Sequence, residues 1–191
     1  NLTISGPFSI SGNRTLTVIA NTTLSGPITG TGTFTKAGTG TLVLNNSTPW
    51  ARNSAILQLT GGTLTLDGAA LAGTDAIRVF ASGGTNLTAR LFLTDGATID
   101  VGKNTANLRV GYTGGDATGT NIVDLAGTII LPVGGNGGKT QFGVAGSNYL
   151  SLLPGGLLAT KDVEIAAGGV YNEFNFSGGT LQAIQATTTF F

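Results

Sequence analysis

Along most of this chain, large apolar residues fall at every second position, in short runs closed by glycine. "LTIS", "LTVIA", "TLVLNN", "TLTLDG", "ARLFLTDG", "ATIDVG", "NLRVGY", "VEIAAGG" and "TLQAIQA" all follow that plan. Period-2 alternation marks strands with one face buried and the other in solvent. Gly, Gly-Gly and Asp-Gly stand between the runs, where tight corners need them. No window carries the 3.6-residue period of an amphipathic helix. The nearest is "STPWARNSAILQL" (Ser47–Leu59), in which Ser47 or Thr48 could cap and Pro49 could open a helix. A turn followed by a return to strand fits it better.

One phrase recurs: a glycine corner, a small residue, then two apolar positions two apart. It reads "GTGTLVL" from Gly38, "GGTLTLDG" from Gly61, "DGATIDVG" from Asp95, "AGTIILPVG" from Ala126 and "SGGTLQAI" from Ser177. Repeats at roughly 20 to 50 residues are the mark of stacked architectures. The pattern predicts an all-β fold, a parallel β-solenoid over residues 1–191, with inward ladders of Leu, Ile, Val and Phe and an outer face of Thr and Asn. At roughly 20 to 25 residues per coil it predicts eight or nine coils and a rod near 40 Å long. A β-sandwich or jelly roll is the competing fold, but neither accounts for repeated phrases.

Composition narrows the function. Among 191 residues there are 9 basic and 9 acidic side chains, and only 9% of the chain is charged. A nucleic-acid binder needs a basic stripe, and a polybasic membrane anchor needs a cluster; neither is present. Hydrophobic residues make up 40%, enough for a core, and the 32 glycines therefore do not signal disorder. There is no Cys, His or Met. That excludes disulfides and thiolate metal sites and removes the commonest acid–base side chain. No apolar run approaches the roughly 18 residues of a membrane-spanning helix. The chain begins with Asn1 and shows no export signal, so any such signal is expected outside it.

"GTGTFTKAGTGTLVLNN" (Gly30–Asn46) asks whether Lys36 belongs to a phosphate loop. It does not fit one: Ala37 and Gly38 follow the lysine where Ser or Thr and a helix are required. Lys36 instead reads as a corner residue whose stem covers apolar surface and whose ammonium sits in water or on turn carbonyls. The stretch resembles the autotransporter-associated β-strand repeat, also called the passenger-associated transport repeat. Gly30, Gly32, Phe34, Lys36, Gly38, Gly40, Leu42 and Leu44 match its pattern position by position. "FNFSGGTLQAIQATTTFF" (Phe174–Phe191) is similar to repeat ends in large bacterial surface proteins. The resemblance implies a right-handed parallel β-helix, extracellular or on a bacterial surface, standing alone or as a segment of a longer repeat protein. It implies no enzyme.

Other chemistry is sparse. Asp95, Asp100 and Lys103 lie close in sequence, Asp116 sits in a glycine-rich turn, and "KDVEI" puts Asp162 and Glu164 on one strand face. Two acids on one face suit paired acid–base work or a weak Ca²⁺ site, but two solvated acids with Val163 and Ile165 inward is the simpler reading. "GGNGGKT" (Gly134–Thr140) has the glycines of a Ca²⁺ nonapeptide without its Asp and reads as a loop. Asn-x-Ser/Thr occurs at Asn1, Asn13, Asn21, Asn45, Asn46, Asn86 and Asn175, which bacterial origin makes unmodified sequons. Trp50 and Tyr112 are the candidate surface contacts for glycans, but for Trp50 a lid packed over the apolar ladders is the favoured reading.

These observations predict a structural extracellular rod or fibre subunit without catalytic residues, cofactor or metal. The alternative is an adhesin or glycan-binding segment; a polysaccharide-active enzyme ranks third. The expected partner is self, by head-to-tail stacking or strand addition, because strand-like "NLTISG" and "ATTTFF" at the two ends carry no cap. Glycans or a host surface come second. Neither nucleic acid nor membrane insertion is expected.

Overall fold

The computed structural model describes residues 1–52, 55–102, 105–112, 115–133, 137–143, 145–165, 171–185 and 190–191. Among these there are strands, turns and bends but no helix. The chain winds through three faces and repeats. The first coil holds β1 (Leu2–Ile4), β2 (Phe8–Ser9) and β3 (Arg14–Thr17), and the second β4 (Thr22–Leu24), β5 (Ile28–Thr29) and β6 (Phe34–Ala37). The third holds β7 (Thr41–Leu44), β8 (Trp50–Ala51) and β9 (Leu57–Leu59); the fourth β10 (Gly62–Leu66), β11 (Ala70–Thr74) and β12 (Ile77–Val79). The fifth holds β13 (Thr88–Leu93), β14 (Thr98–Val101) and β15 (Leu108–Val110). The sixth holds β16 (Thr120–Leu125), β17 (Thr128–Ile130) and β18 (Thr140–Phe142); the seventh β19 (Ser147–Leu152), β20 (Leu157–Thr160) and β21 (Val163–Ile165). An eighth contributes β22 (Tyr171–Phe176) and β23 (Thr180–Ala183).

Each strand pairs in parallel with its counterpart one coil away. The first face is an eight-stranded sheet from β1 to β22 and the third a seven-stranded sheet from β3 to β21. On the second face the pair β2–β5 precedes a six-stranded sheet from β8 to β23. This is a parallel β-solenoid, as the alternation and the repeated phrase predict. At about 4.8 Å per rung, the seven steps of the first face span roughly 34 Å.

The coil count departs from the expectation of eight or nine. Seven coils are complete, and in the eighth the Val163 N–H donates to the Phe190 carbonyl at 2.9 Å on the third face. Matched positions on the first face run Leu2, Thr22, Leu42, Leu64, Leu91, Val123, Leu150 and Phe174. The repeat is thus 20 residues at first, widens to 32 between Leu91 and Val123, and is 24 at the end. The extra length sits in the connections, such as residues 80–87 and 111–119, not in the ladders. The repeated phrase also serves two faces: "GTGTLVL" and "GGTLTLDG" enter β7 and β10, whereas the other three enter β14, β17 and β23.

Inward rows make the core. On the first face Leu42, Leu64, Leu91, Val123 and Leu150 form one row and Leu44, Leu66, Leu93, Leu125 and Leu152 another, and none of the ten exposes measurable surface. The second face adds Trp50, Leu71, Ile99, Ile129 and Leu158. The third adds Leu57, Ile77 and Leu108, with Leu59, Val79, Val110 and Phe142 beside them. Polar residues also point inward. Asn121, Asn148 and Asn172 lie in register, with side-chain amides bonded rung to rung at 2.8 Å.

A parallel ladder loads its middle rungs most heavily, since each is packed above and below. Leu91→Ala is expected to destabilise the chain by about 3 kcal/mol, in the range for a buried leucine. Leu2→Ala, at a position 56% exposed, should change stability by under about 1 kcal/mol. Guanidinium unfolding followed by circular dichroism compares the two.

Candidate functional site

Alternation in β6 puts Phe34 and Lys36 on the same side of the strand, and that side is the interior. Phe34 is 1% exposed and Lys36 not at all. The lysine occupies a rung of an otherwise apolar row, between Leu16 and Leu59. Its ammonium donates to the carbonyls of Gly38 at 2.8 Å, Gly40 at 2.6 Å and Gly61 at 2.7 Å. An ammonium has three N–H bonds to give, and all three are used. No carboxylate is among these partners, and burial holds the Lys36 pKa at about 8. The ammonium is therefore on turn carbonyls, as one branch of the sequence reading had it, but no part of it reaches water. The cage is built across two coils: Gly38 and Gly40 flank one corner, and Gly61 supplies the matching corner of the next coil.

Two glycines of this corner tolerate no side chain. Gly38 has φ +78°, and a Cβ there would lie 2.5 Å from the Val18 carbonyl oxygen. At Gly62, with φ +64°, a Cβ would lie 2.4 Å from the Lys36 ammonium.

Trp50 is not a surface contact. It is 1% exposed, at the foot of the second-face row, and meets the Phe34 ring edge-on at 5.5 Å. The short strand β8 turns it inward, and its indole N–H donates to the Gly30 carbonyl at 3.2 Å. Two residues on, Arg52 also points inward and is fully buried. One guanidinium nitrogen donates to the carbonyls of Gly32 at 3.0 Å and Ile56 at 2.6 Å, while Nε and the other terminal nitrogen are buried and find no partner among the described residues. The guanidinium carbon lies 4.2 Å from the Trp50 ring centre, a cation–π contact. Burial lowers the Arg52 pKa to about 10. The carbonyls of all four motif glycines, Gly30, Gly32, Gly38 and Gly40, are thus taken by buried side-chain donors. Arg52 escaped the sequence reading because a two-residue strand is too short to show alternation.

Tyr112 is half-buried rather than free. It lies in the connection after β15, with the guanidinium carbons of Arg78 and Arg109 at 4.4 Å and 5.1 Å from its ring centre and the Phe80 ring at 5.6 Å.

The carboxylates do not converge. Asp95 lies in an exposed turn and Asp100 on the outer side of β14. Asp116 accepts the Gly84 N–H at 3.2 Å. Lys103 lies outside the described residues, as do 134–136 of "GGNGGKT", whose remainder is packed: Gly138 N–H donates to Ala106 O at 2.7 Å. Asp162 and Glu164 do meet, through Lys139. Its ammonium pairs with Glu164 and lies 3.6 Å from Asp162, while Gln141 donates to Glu164 at 2.8 Å. The Glu164 hydrogen bond raises the Lys139 pKa. For Glu164, burial pushes the pKa up, but the Lys139 and Gln141 hydrogen bonds outweigh it and the net shift is downward. Glu164 is thereby held in its charged form. Val163 is inward as expected, but Ile165 is 68% exposed, on the last strand of the third face. Among the described residues no three Asp, Glu, His or Cys side chains are grouped as metal ligands. Of the Asn-x-Ser/Thr sites, Asn46 is 2% exposed and bonded to the Thr48 carbonyl, out of reach of modification.

The outer side of the first face carries a feature that the sequence reading missed. On its last four rungs, an open groove of about 440 Å³ is lined by Arg90, Thr120, Ile122, Asp124, Tyr149, Ser151 and Asn175. Arg90 pairs with Asp124 at 2.6 Å. Tyr149 and Tyr171 lie with ring centres 5.5 Å apart, and Glu173 accepts from both the Tyr171 hydroxyl and the Asn175 amide at 2.6 Å. Aligning "TARLFL", "TNIVDL", "SNYLSL" and "YNEFNF" in register would have put these polar positions in adjacent columns.

No protein-family model, curated protein or solved structure matches the chain.

Lys36→Met keeps the stem and removes the donors, leaving three carbonyls unpaired. It should cost about 2–4 kcal/mol in guanidinium unfolding, the range for orphaned buried polar groups. The pH dependence has a definite sign. Below about pH 8 lysine 36 is charged in both folded and unfolded chains, and stability does not change with its titration. Between pH 8 and its ordinary range near 10.5 the unfolded chain binds more protons, and stability therefore rises with pH. From pH 8 to pH 10 the parent should gain roughly 2 kcal/mol relative to Lys36→Met, at about 1.4 kcal/mol per unit. Denaturation of the pair at both pH values reads it.

Proposed function

We propose that the chain is a structural β-solenoid of the bacterial exterior, a segment of a rod or fibre on the cell surface or in a secreted filament. The observation that carries this reading is the uninterrupted parallel register from β1 to β22. Such a ladder has no hinge, and its rows of fully buried leucine resist local opening. The outer surface is poor in charge, the described carboxylates are scattered or tied in ion pairs, and the reading assigns the chain no catalytic step. The resemblance of Gly30–Leu44 to the autotransporter-associated repeat supports the surface location, and membership of that family is part of the proposal. A stack of this kind extends by the same pairing that joins one coil to the next, whether the next coil lies in the same chain or in another copy.

Immunogold electron microscopy of the source cells, with antibody raised to this chain, tests the location. Label on the outer surface of intact, unpermeabilised cells or on released fibres is expected. Label confined to the cytoplasm overturns the proposal.

A further inference from the structure

We propose that the outer side of the first face, on its last four rungs, binds a neutral linear oligosaccharide. The matched outward columns show how local this surface is. One column runs Thr3, Thr23, Val43, Thr65 and then Phe92, Asp124, Ser151 and Asn175. Its neighbour runs Thr41, Thr63 and then Arg90, Ile122, Tyr149 and Glu173. The first rungs carry the small residues that any solvated sheet accepts. The last four carry aromatic rings and planar polar groups, and the open groove lies on these rungs.

The chemistry of the groove fits a sugar. A pyranose has an apolar C–H face and an edge of hydroxyls that both donate and accept. Tyr149 and Tyr171 supply ring surface for the first, and Tyr171 is 48% exposed. The carboxylates, the Asn175 amide and the Arg90 guanidinium supply planar groups for the second. These groups are already fixed: Asp124 by Arg90, and Glu173 by Tyr171 and Asn175. Preorganised groups lose little freedom on binding. Charge separates the candidates. Arg90 and Asp124 cancel, while Glu173 keeps its negative charge because the Tyr171 and Asn175 hydrogen bonds lower its pKa. Such a surface repels a polyanion and has no basic excess to hold phosphate. It is too small for a stable protein interface, which buries roughly 800 Å² per partner. The groove runs across successive strands, and a linear chain would lie along the rod axis.

Isothermal titration of the full chain with cellohexaose, xylohexaose, mannohexaose, laminarihexaose and hexa-N-acetylchitohexaose tests the proposal, with hexagalacturonate as the acidic comparison. At least one neutral hexasaccharide should bind with a Kd on the order of millimolar or tighter. Tyr149→Ala and Tyr171→Ala should each weaken it at least about ten-fold at unchanged Tm. Asn175→Ala gives a smaller probe should either variant lose its fold, and Tyr112→Ala, whose ring packs on Arg78, Arg109 and Phe80 and does not line the groove, should leave affinity unchanged. Three results overturn the proposal: no neutral sugar binds, only hexagalacturonate binds, or binding is indifferent to all three groove substitutions. None of them bears on the immunogold result, so the sugar site and the rod stand or fall separately.

Discussion

A chain that turns a corner every few residues leaves carbonyls that no ladder can reach, and a buried carbonyl without a donor is costly. The second and third coils meet this constraint by sending long donors inward. Lys36 takes three glycine carbonyls, Arg52 takes two carbonyls and Trp50 takes one. Much of the architecture follows. Gly38 and Gly62 must be glycine so that the backbone can close on the donor, as the contact between a Gly62 Cβ and the Lys36 ammonium makes plain. Among the described residues neither cation has a carboxylate partner, and burial lowers both of their pKa values.

The later coils meet the same demand with neutral groups. Asn121 accepts the Ala81 N–H at 2.6 Å and donates to Ala145 O and to Asn148. The fully buried Thr160 hydroxyl, 3.0 Å from the Gly138 carbonyl and 2.9 Å from that of Asp162, gives its one proton to a carbonyl there. An amide or hydroxyl carries a smaller desolvation penalty than an ammonium. It also reaches less far, and it therefore serves where the corner and the strand are close. One fold thus uses two chemistries for one problem, divided along its length.

How much of this the sequence discloses depends on whether the decisive neighbour is local. Alternation puts Leu42 and Leu44 inward, and the glycines mark the corners, because both signals span a few residues. The number of coils is less legible. Entry to the first face and entry to the second use the same glycine-strand phrase, and counting them as one phase hides the true repeat. Lys36 shows the limit most clearly. Its place in the alternation is inward, but hydropathy argues for the surface, and one of its three acceptors, Gly61, comes from the next coil. Trp50 opens, and Arg52 follows, a two-residue strand too short to show a period. The tyrosines of the outer groove are separated by one coil, so no linear window contains their juxtaposition.

The repeat widens from 20 to 32 residues while the strands keep their register. Length and register are therefore independent variables in this molecule. On the first face the corner connections, 80–87 among them, have absorbed the added residues without displacing a rung, whereas on the second face the pairing of β11 with β14 shifts by one residue between Leu71 and Thr74. A lineage can then edit what the rod presents, coil by coil, as one changes fittings on a rail, and the rail itself need not be rebuilt.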